Sequence, residues 1–278
     1  MYSCIEIYIV NFLLVNLFCK LIIMSKPLIF VTNDDGITAK GIRELIEVVR
    51  NFGDVVVVAP DSPQSGMSHA ISLYSDLSCD QIIIDDGPQI EYACTGTPVD
   101  CVKLGLNAIL KRKPDLCVSG INHGSNSSIN VIYSGTMSAA VEGAIAGIPS
   151  IGFSLLDYSN EADFRTSKIV VEKIVNKVLK EGLQKGTCLN VNIPKCSYSD
   201  INGYKICRQA NARWIEDFDI RNDSKGKTYY CLSGNFQNFD NRKDTDEWAL
   251  SNRYVSIVPV QFDVTSFDSL TKLKSWNL

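Results

Sequence analysis

The chain has 278 residues, of which 45% are hydrophobic, and a formal net charge of −4. This length and apolar content suit one large α/β domain, or one domain with an appendage, and exclude a globally disordered chain. The slightly acidic balance gives no general attraction to nucleic acid polymers or anionic membranes, so small phosphorylated ligands at a local site fit better than polymers.

Residues 1–23 form an apolar leader that differs from the rest of the chain. The apolar run is interrupted by four polar residues, Glu6, Asn11, Asn16 and Lys20. A signal peptide is disfavoured because a basic start and a small-residue cleavage site are missing, and a membrane span because the run is barely long enough. We favour Met24 as the true start and expect a cytoplasmic protein without stable membrane association. Membrane anchoring remains the alternative.

A β-α-β unit follows the leader. Residues 28–33 are strand-like, residues 38–52 carry apolar side chains at helical spacing, and residues 55–59 form a second apolar run. Strands buried on both faces have continuous apolar runs, and a right-handed crossover makes the two strands parallel. The unit therefore predicts an α/β fold with a mostly parallel sheet.

The alternation of strands and helices continues to residue 193. Short strands at 71–74, 81–84 and 90–94 are predicted as an antiparallel excursion. A helix is predicted over 98–110, since Thr97 is a good cap and Pro98 suits the first helical position. The later elements are a strand at 116–119, a helix at 137–147, a strand at 150–155, a helix at 162–181 and a strand at 189–193.

Residues 208–246 are polar and aromatic, which indicates hairpins and long loops. Their aromatic side chains have two open interpretations, since they could pack on a neighbouring subunit or close over a base. These residues are Trp214, Phe218, Tyr229 and Tyr230. We expect mainly an oligomerisation arm. A final strand is predicted at 254–260, followed by a weak tail.

The ten cysteines are scattered, and several lie inside apolar runs. This distribution is typical of buried free thiols and not of a disulfide framework, so we predict reduced core cysteines. No Cys-x-x-Cys pair occurs, and the only histidines are His69 and His123. A structural zinc site is therefore disfavoured.

Three loops follow three predicted parallel strands, and their tips should converge at one edge of the sheet. The first carries Asp34 and Asp35, the second Ser65 and the third Asn122. Two carboxylates and two neutral oxygens suit Mg²⁺ or Mn²⁺ and leave positions open for water and substrate. Taken alone, the first loop is equally well explained as a helix cap, because Asn and Asp are preferred capping residues.

Ser134, Gly135 and Thr136 precede the predicted helix at 137–147. Backbone N–H groups and two hydroxyls at a helix N-terminus form an anion site that the helix dipole strengthens. A plain Ser/Thr cap without a ligand is the alternative. Together with the metal loop, the segment indicates a phosphate ester site.

Six motifs in this order resemble the survival protein E (SurE) family of 5′/3′-nucleotidases, from about Met24 to about Pro259. The motifs are VTNDDG, QSGMSHA, TGTPVDCVKLGL, SGIN with GSN after it, VIYSGTMSAAVEG, and DTDEWAL ending in YVSIVP. The resemblance implies a three-layer Rossmann-like α/β/α core with a mostly parallel mixed sheet and a protruding β-hairpin arm, assembled as a homodimer or homotetramer. We divide the chain into residues 24–207 as catalytic core and residues 208–278 as a hairpin and C-terminal oligomerisation segment, which returns strand 254–260 to the core. The leader lies outside the family pattern, which supports Met24 as the start.

The resemblance also implies site residues and a metal-dependent phosphatase that acts on nucleoside 5′-monophosphates, with 3′-monophosphates as a further possible substrate. The implied ligands of Mg²⁺ or Mn²⁺ are Asp34, Asp35, Ser65 and Asn122. The implied phosphate-binding residues are Ser134, Gly135 and Thr136, with Asn126 lining the same site.

In the expected mechanism, the cation binds the phosphate and an activated water attacks phosphorus in line with the ester oxygen. One of Asp34 and Asp35 binds the metal most directly and the other orients or deprotonates water, and the sequence does not assign which. His69 or His123 could protonate the leaving alkoxide. For each histidine a structural or substrate-contact role is the alternative, because a metal-bound water could donate the proton.

Two competing functions are weaker. A haloacid-dehalogenase-type phosphatase, which forms an aspartyl-phosphate, needs two aspartates separated by one residue, whereas Asp34 and Asp35 are adjacent. A nucleotide-binding regulator without turnover would keep the pocket but has no need of an intact set of metal ligands.

Overall fold

The structure, a computed structural model, describes residues 26–276. The expectations about residues 1–23 and about Met24 as the start concern residues outside this range. No helix between residues 26 and 276 is long and apolar enough to cross a membrane.

Residues 26–276 form eleven strands and seven α-helices. The strands are β1 (Leu28–Thr32), β2 (Asp54–Pro60), β3 (Cys79–Ile82), β4 (Ile90–Cys94), β5 (Leu116–His123), β6 (Ser150–Leu155), β7 (Thr187–Ile193), β8 (Gly203–Ile206), β9 (Ala212–Asn222), β10 (Thr228–Asn238) and β11 (Tyr254–Gln261). The helices are α1 (Lys40–Val49), α2 (Pro98–Leu104), α3 (Asn130–Tyr133), α4 (Gly135–Ile145), α5 (Arg165–Glu181), α6 (Asp246–Ser251) and α7 (Phe267–Leu273). A π-helical turn, Gly105–Ile109, follows α2.

Nine strands form one sheet in the order β3-β4-β2-β1-β5-β6-β7-β11-β8. The pairs from β4 through β7 are parallel, whereas β3 pairs antiparallel with β4 and β11 antiparallel with β7. Antiparallel strands at the margins of a parallel sheet are common in α/β folds. The sheet is therefore mixed and mostly parallel, as the sequence predicts.

The alternation of side chains along β1 explains why helices cover both faces of the sheet. Ile29 and Val31 pack in one apolar cluster with α1 and α5, whereas Phe30 packs in a second cluster with α2 and Ala139 of α4. Alternate side chains of β1 point to opposite faces of the sheet, and helices cover both faces. All five residues of β1 are therefore buried. The three-layer α/β/α fold class is confirmed.

The prediction of a strand at 71–74 was wrong, and that of an antiparallel excursion was only partly right. Ser72 donates hydrogen bonds to Asp100 from its backbone N–H (3.0 Å) and its hydroxyl (2.8 Å), so this segment lies at the start of α2 instead of joining the sheet. Leu73 and Tyr74 are exposed. Strand β4 joins the main sheet parallel to β2, and only β3 runs antiparallel.

The prediction of reduced cysteines was wrong for one pair. Cys79 and Cys94 are direct partners in the β3–β4 pair, with Cα atoms 4.2 Å apart, and a disulfide joins them. The spacing of 15 residues did not reveal this pairing, because it depends on a strand register that the sequence does not specify. The remaining described cysteines are free, and four of them are buried: Cys101, Cys117, Cys188 and Cys207.

The region at 208–246 contains the expected hairpin. Strands β9 and β10 pair antiparallel along their full lengths, from Ala212 opposite Asn238 to Asn222 opposite Thr228, as a two-stranded sheet of their own. Strand β11 then returns to the main sheet. Four of these strands and helices lacked a sequence prediction: the short helix α3, β8, which pairs with β11, the short helix α6, and helix α7 in the C-terminal tail.

The N-terminus of α2 provides a test of the fold. Thr97 and Asp100 form a reciprocal capping box, and the Thr97 hydroxyl also donates to the Ala70 carbonyl oxygen at 2.8 Å. Thr97→Ala should therefore lower the free energy of unfolding in urea by about 1–2 kcal/mol. Ser266→Ala is the matched control, because Ser266 caps the exposed helix α7 and its loss should change the value by less than about 0.5 kcal/mol. Equal losses for the two variants would contradict this assignment.

Candidate active site

The first two loops that the sequence singles out follow the parallel strands β1 and β2, whereas Asn122 and His123, predicted in the third loop, are the last two residues of the neighbouring strand β5. Strand β1 lies between β2 and β5, and the chain moves to one side of β1 to form β2 and later returns to its other side to form β5. The sheet therefore has a topological switch point between β1 and β5, where open α/β folds bind ligands. Asp34 and Asp35 follow β1 directly at this point.

Asp34 is held by the start of helix α4. It is only 4% exposed, and the Thr136 hydroxyl donates a hydrogen bond to Asp34 Oδ1. A Cβ atom on Gly135 would lie 2.7 Å from Asp34 Cβ, so only glycine permits this close approach. The last two residues of the Ser134-Gly135-Thr136 segment therefore contact the aspartate itself.

The two aspartates form an acidic centre. Burial, followed by the charge of Asp35, raises the pKa of Asp34 from 3.8 to about 6, against hydrogen bonds from Thr136 that lower it. Burial also raises the pKa of Asp35, whose Oδ2 accepts the His123 backbone N–H at 3.3 Å. Within residues 26–276, no lysine or arginine contributes to either shift. Among the described residues, no cationic lysine or arginine therefore neutralises the charge of this pair.

The Ser65 loop is attached on both sides of Ser65. The Gln64 backbone N–H donates to the Asp34 carbonyl oxygen at 2.7 Å. Three residues after Ser65, Ser68 donates to two carbonyl oxygens at the end of α3, from its N–H to Tyr133 (3.2 Å) and from its hydroxyl to Ile132 (2.7 Å). The loop is thus fixed between the first acidic loop and α3.

Asn122 and Asn126 are oriented by their neighbours. The Asn122 side-chain amide donates to the Gly124 carbonyl oxygen at 3.0 Å, which leaves Oδ1 as the oxygen available to a cation. The Asn126 side-chain amide donates to the Ser154 hydroxyl at 2.8 Å, and its backbone N–H donates to Asn192 Oδ1 at 2.8 Å. Both asparagines are therefore set by hydrogen bonds that use their N–H groups.

A cavity of about 400 Å³ brings most of these residues together. Six of its lining residues were predicted from the sequence: Asp34, Ser65, Asn122, His123, Asn126 and Ser134. Four predicted site residues are not in its lining: Asp35, His69, Gly135 and Thr136. Six lining residues were not predicted as site residues: Gly66, Ser125, Asn130, Tyr133, Tyr158 and Trp214. The aromatic composition of the arm pointed to Trp214, but nothing local marked Asn130 or Tyr158.

Ser134 caps helix α4 and also lies at the cavity. Its hydroxyl accepts the Met137 N–H at 3.0 Å, so it is the cap of α4, and it also lines the cavity. The positive end of the α4 dipole therefore faces Asp34 and the cavity together, which favours an anion or a carboxylate there.

The two histidines differ in position. His69 Nε2 lies 3.0 Å from Glu142 Oε2, and Lys103 Nζ lies 2.5 Å from the other oxygen of Glu142, so His69 is tied to α4 outside the cavity lining. His123 lines the cavity, and its Nδ1 lies 3.1 Å from the Ser159 carbonyl oxygen. Since a carbonyl only accepts, Nδ1 carries the hydrogen, and Nε2 is the nitrogen left for proton exchange.

The residues at this edge fit a divalent cation. Three buried oxygen atoms near the end of β1 have no hydrogen-bond partner among the described residues: Thr32 Oγ1, Asn33 Oδ1 and, opposite Thr32 on β5, Ser119 Oγ. Asp34, Asp35, Ser65 and Asn122 add two carboxylates, a hydroxyl and an amide oxygen, which are the hard ligands that Mg²⁺ and Mn²⁺ prefer. The predicted ligand set is thus chemically consistent with such an ion.

Comparisons with known proteins agree with the resemblance that the sequence motifs show. The sequence model of the family described as Survival protein SurE matches residues 29–216. A "5′-nucleotidase SurE" from Flavobacterium psychrophilum is 61% identical over 255 residues, which cover 92% of this chain and 99% of the relative. One from Christiangramia forsetii is also 61% identical over 255 residues, covering 91% of this chain and 98% of the relative. The crystal structure of the SurE protein from Aquifex aeolicus superposes with a TM-score of 0.77 at 39% identity, covering 89% of this chain and 98% of that one.

Because the two aspartates are adjacent and burial raises the pKa of both, replacing one of them with a neutral residue should increase the stability of the fold. In EDTA at pH 8, Asp34→Asn should raise the free energy of unfolding by up to about 3 kcal/mol, since the Asp34 pKa is about 6 in the fold against 3.8 unfolded. A raised acid pKa destabilises the fold above pH 6 and has no effect below about pH 4, where both states are protonated. The advantage of Asn should therefore vanish as the pH falls from 8 to 4 in urea unfolding curves.

The same variant should also lose the response to metal. Millimolar Mn²⁺ should raise the melting temperature of the unmodified chain, because a ligand that binds only the folded state stabilises it, and it should not raise that of Asp34→Asn. Asp61→Asn is the control, since Asp61 is an exposed acid in the neighbouring loop. Its response should equal that of the unmodified chain. An Asp34→Asn variant with a full response would exclude Asp34 as a ligand.

Proposed function

Because the chain belongs to the survival protein SurE family, we propose that it is a 5′-nucleotidase that hydrolyses nucleoside 5′-monophosphates in a reaction that depends on Mg²⁺ or Mn²⁺. One observation carries the proposal: a single cavity joins Asp34, Ser65 and Asn122 to Ser134 at the N-terminus of α4. Acidic and neutral oxygen ligands beside a helix N-terminus suit a metal ion and a phosphate at the same time.

We assign the cation to Asp34, Asp35, Ser65 and Asn122. When bound, it would neutralise charge on the phosphate and acidify a water molecule, which is most of what phosphoryl transfer requires. Gly135 and Thr136 contribute indirectly, because they hold Asp34 in place through close packing and a hydroxyl hydrogen bond. We propose that they bind the phosphate through their backbone N–H groups at the start of α4.

The phosphate oxygens would be bound by Ser134 and Asn126. Both residues are buried, and both line the cavity next to Asp34. The α4 dipole favours the negative phosphate, and the fixed orientation of Asn126 avoids the cost of ordering its side chain during the reaction.

His123 is the better candidate for the proton donor to the leaving nucleoside oxygen. Its ring lines the cavity with Nε2 available, whereas His69 is paired with Glu142 outside the lining. His69 instead has a positioning role, because it follows Ser68 in the loop that carries Ser65.

The remaining parts of the proposal concern assembly, location and substrate range. We expect a homodimer or homotetramer built partly by the β9–β10 hairpin, a cytoplasmic location, and some activity on 3′-monophosphates. Light scattering on a chain without the hairpin tests the first of these. An unchanged oligomer would count against the arm.

The primary experiment is phosphate release from AMP and GMP by the purified chain, with Mn²⁺ or Mg²⁺ and with EDTA. Release with the metals and its loss in EDTA are expected. If no metal-dependent release occurs while AMP still binds, the chain is a nucleotide-binding regulator. Isolation of a covalent phospho-enzyme would instead indicate the aspartyl-phosphate mechanism.

The role of His123 is tested by the leaving group. An alkoxide needs protonation, whereas p-nitrophenolate leaves readily without it, so His123→Ala should lower kcat for AMP by about 100-fold or more but for p-nitrophenyl phosphate by less than about 5-fold. His69→Ala is the control and should lower both rates by the same factor. Equal losses for both substrates in His123→Ala would show that His123 does not donate the proton.

A further inference from the structure

A second cavity adjoins the candidate active site. It has a volume of about 490 Å³ and is lined by Tyr133, Trp214, Glu216, Leu232, Ser233 and Gly234. Tyr133 and Trp214 also line the cavity that contains Asp34 and Ser134. The two cavities therefore share an aromatic wall, and a ligand with its phosphate in the first can extend into the second.

The shape of the second cavity follows from the hairpin register. Trp214, Glu216 and Phe218 lie on one face of β9, and their direct partners on β10 are Phe236, Gly234 and Leu232 respectively. Gly234 leaves a gap on this face between two large side chains. It has a φ of +151°, and a Cβ atom there would lie 2.4 Å from the Ile215 carbonyl oxygen, so the gap cannot be filled without moving the hairpin.

The aromatic wall is fixed but remains uncovered. Trp214 Nε1 donates to Asn130 Oδ1 at 2.8 Å, and the edge of its ring contacts Phe236 with centroids 5.5 Å apart. Trp214 is nevertheless 42% exposed and Tyr133 is 51% exposed. An oriented, half-exposed indole beside a second ring is suited to stacking a planar group.

The charge of this cavity excludes a second anion. Glu216 is its only ionisable carboxylate among the described lining residues, and no lysine or arginine lines it. A phosphate chain would be repelled, whereas a neutral planar group with N–H donors on its edge could donate hydrogen bonds to the carboxylate. A nucleobase has these properties.

We propose that this hairpin cavity, formed by Trp214, Tyr133 and the gap at Gly234, is the subsite that binds the base of the substrate. The proposal rests on the nucleotidase function proposed above. It makes Trp214 a specificity-determining residue, so that the chain prefers phosphate esters that carry a base over those that carry only a sugar.

The test compares AMP with ribose 5-phosphate, which has the same type of leaving oxygen and no base. Trp214→Ala should lower kcat/KM for AMP by about 10-fold or more, the scale of base–aromatic stacking, and should lower that for ribose 5-phosphate by a clearly smaller factor, which reflects only the lost hydrogen bond to Asn130. Trp214→Phe, which keeps a ring, should recover most of the activity on AMP. Equal effects on the two substrates, or none on AMP, would overturn the proposal.

Tyr230→Ala is the matched control, because Tyr230 is an exposed aromatic residue of the same hairpin that lines neither cavity. It should leave both substrates unaffected. Light scattering on every variant tests whether a second copy covers this face instead. If Trp214→Ala and Tyr230→Ala dissociate the oligomer and lose AMP activity together, the cavity is a subunit contact and the proposal fails.

Adenosine binding in EDTA separates this proposal from the proposed function, because it requires neither metal nor turnover. Calorimetry should show that Trp214→Ala weakens adenosine binding about 10-fold and that Tyr230→Ala does not. A chain that binds adenosine through Trp214 but hydrolyses no phosphate ester would retain the subsite and lose the nucleotidase function. If the chain hydrolyses AMP but Trp214→Ala binds adenosine as tightly as the unmodified chain, the nucleotidase function stands and the base subsite is excluded.

Discussion

The structure at the switch point is organised around the burial of two adjacent carboxylates at the end of β1. A buried charge without a partner is costly, and the pKa of Asp34 rises to about 6 as a result. The surroundings reduce this cost only partly: the Thr136 hydroxyl donates to Asp34 and the His123 N–H donates to Asp35. A divalent cation would remove the rest. The buried acidic pair therefore costs the fold stability, and this cost supports the proposal that the pair binds a cation.

Most of the fold could be predicted from the sequence because its central strands are buried on both faces. Continuous apolar runs such as 55–59 define strands by themselves, and Thr97 with Pro98 defines a helix start. The margins could not be predicted in this way. Whether 71–74 forms a strand depends on Asp100, a residue about 28 positions away that accepts both hydrogen bonds of Ser72, and the Cys79–Cys94 disulfide depends on register.

The candidate site likewise has features that could be predicted from the sequence and others that could not. The sequence predicted that Asp34, Ser65 and Asn122 would converge, because parallel strands place their carboxyl ends at one edge. It did not separate His69 from His123, since both were predicted in loops at that edge. The structure distinguishes them by their contacts: Glu142 for His69 and the Ser159 carbonyl for His123. The hydrogen bond from the Thr136 hydroxyl to Asp34 could not be predicted either, and the assignment of Thr136 to the phosphate stays a prediction.

The short helix α3 connects the parts of the site that come from distant regions of the chain. Its first residue, Asn130, accepts the Trp214 indole N–H, and the carbonyl oxygens of its last two residues accept both hydrogen bonds of Ser68 from the Ser65 loop. Ser134, the cap of α4, follows directly. The hairpin, the Ser65 loop and helix α4 therefore share one four-residue anchor. A base held against Trp214 would stabilise the same element that positions Ser65, so binding energy from the non-reacting part of the substrate can be used to order the reacting centre.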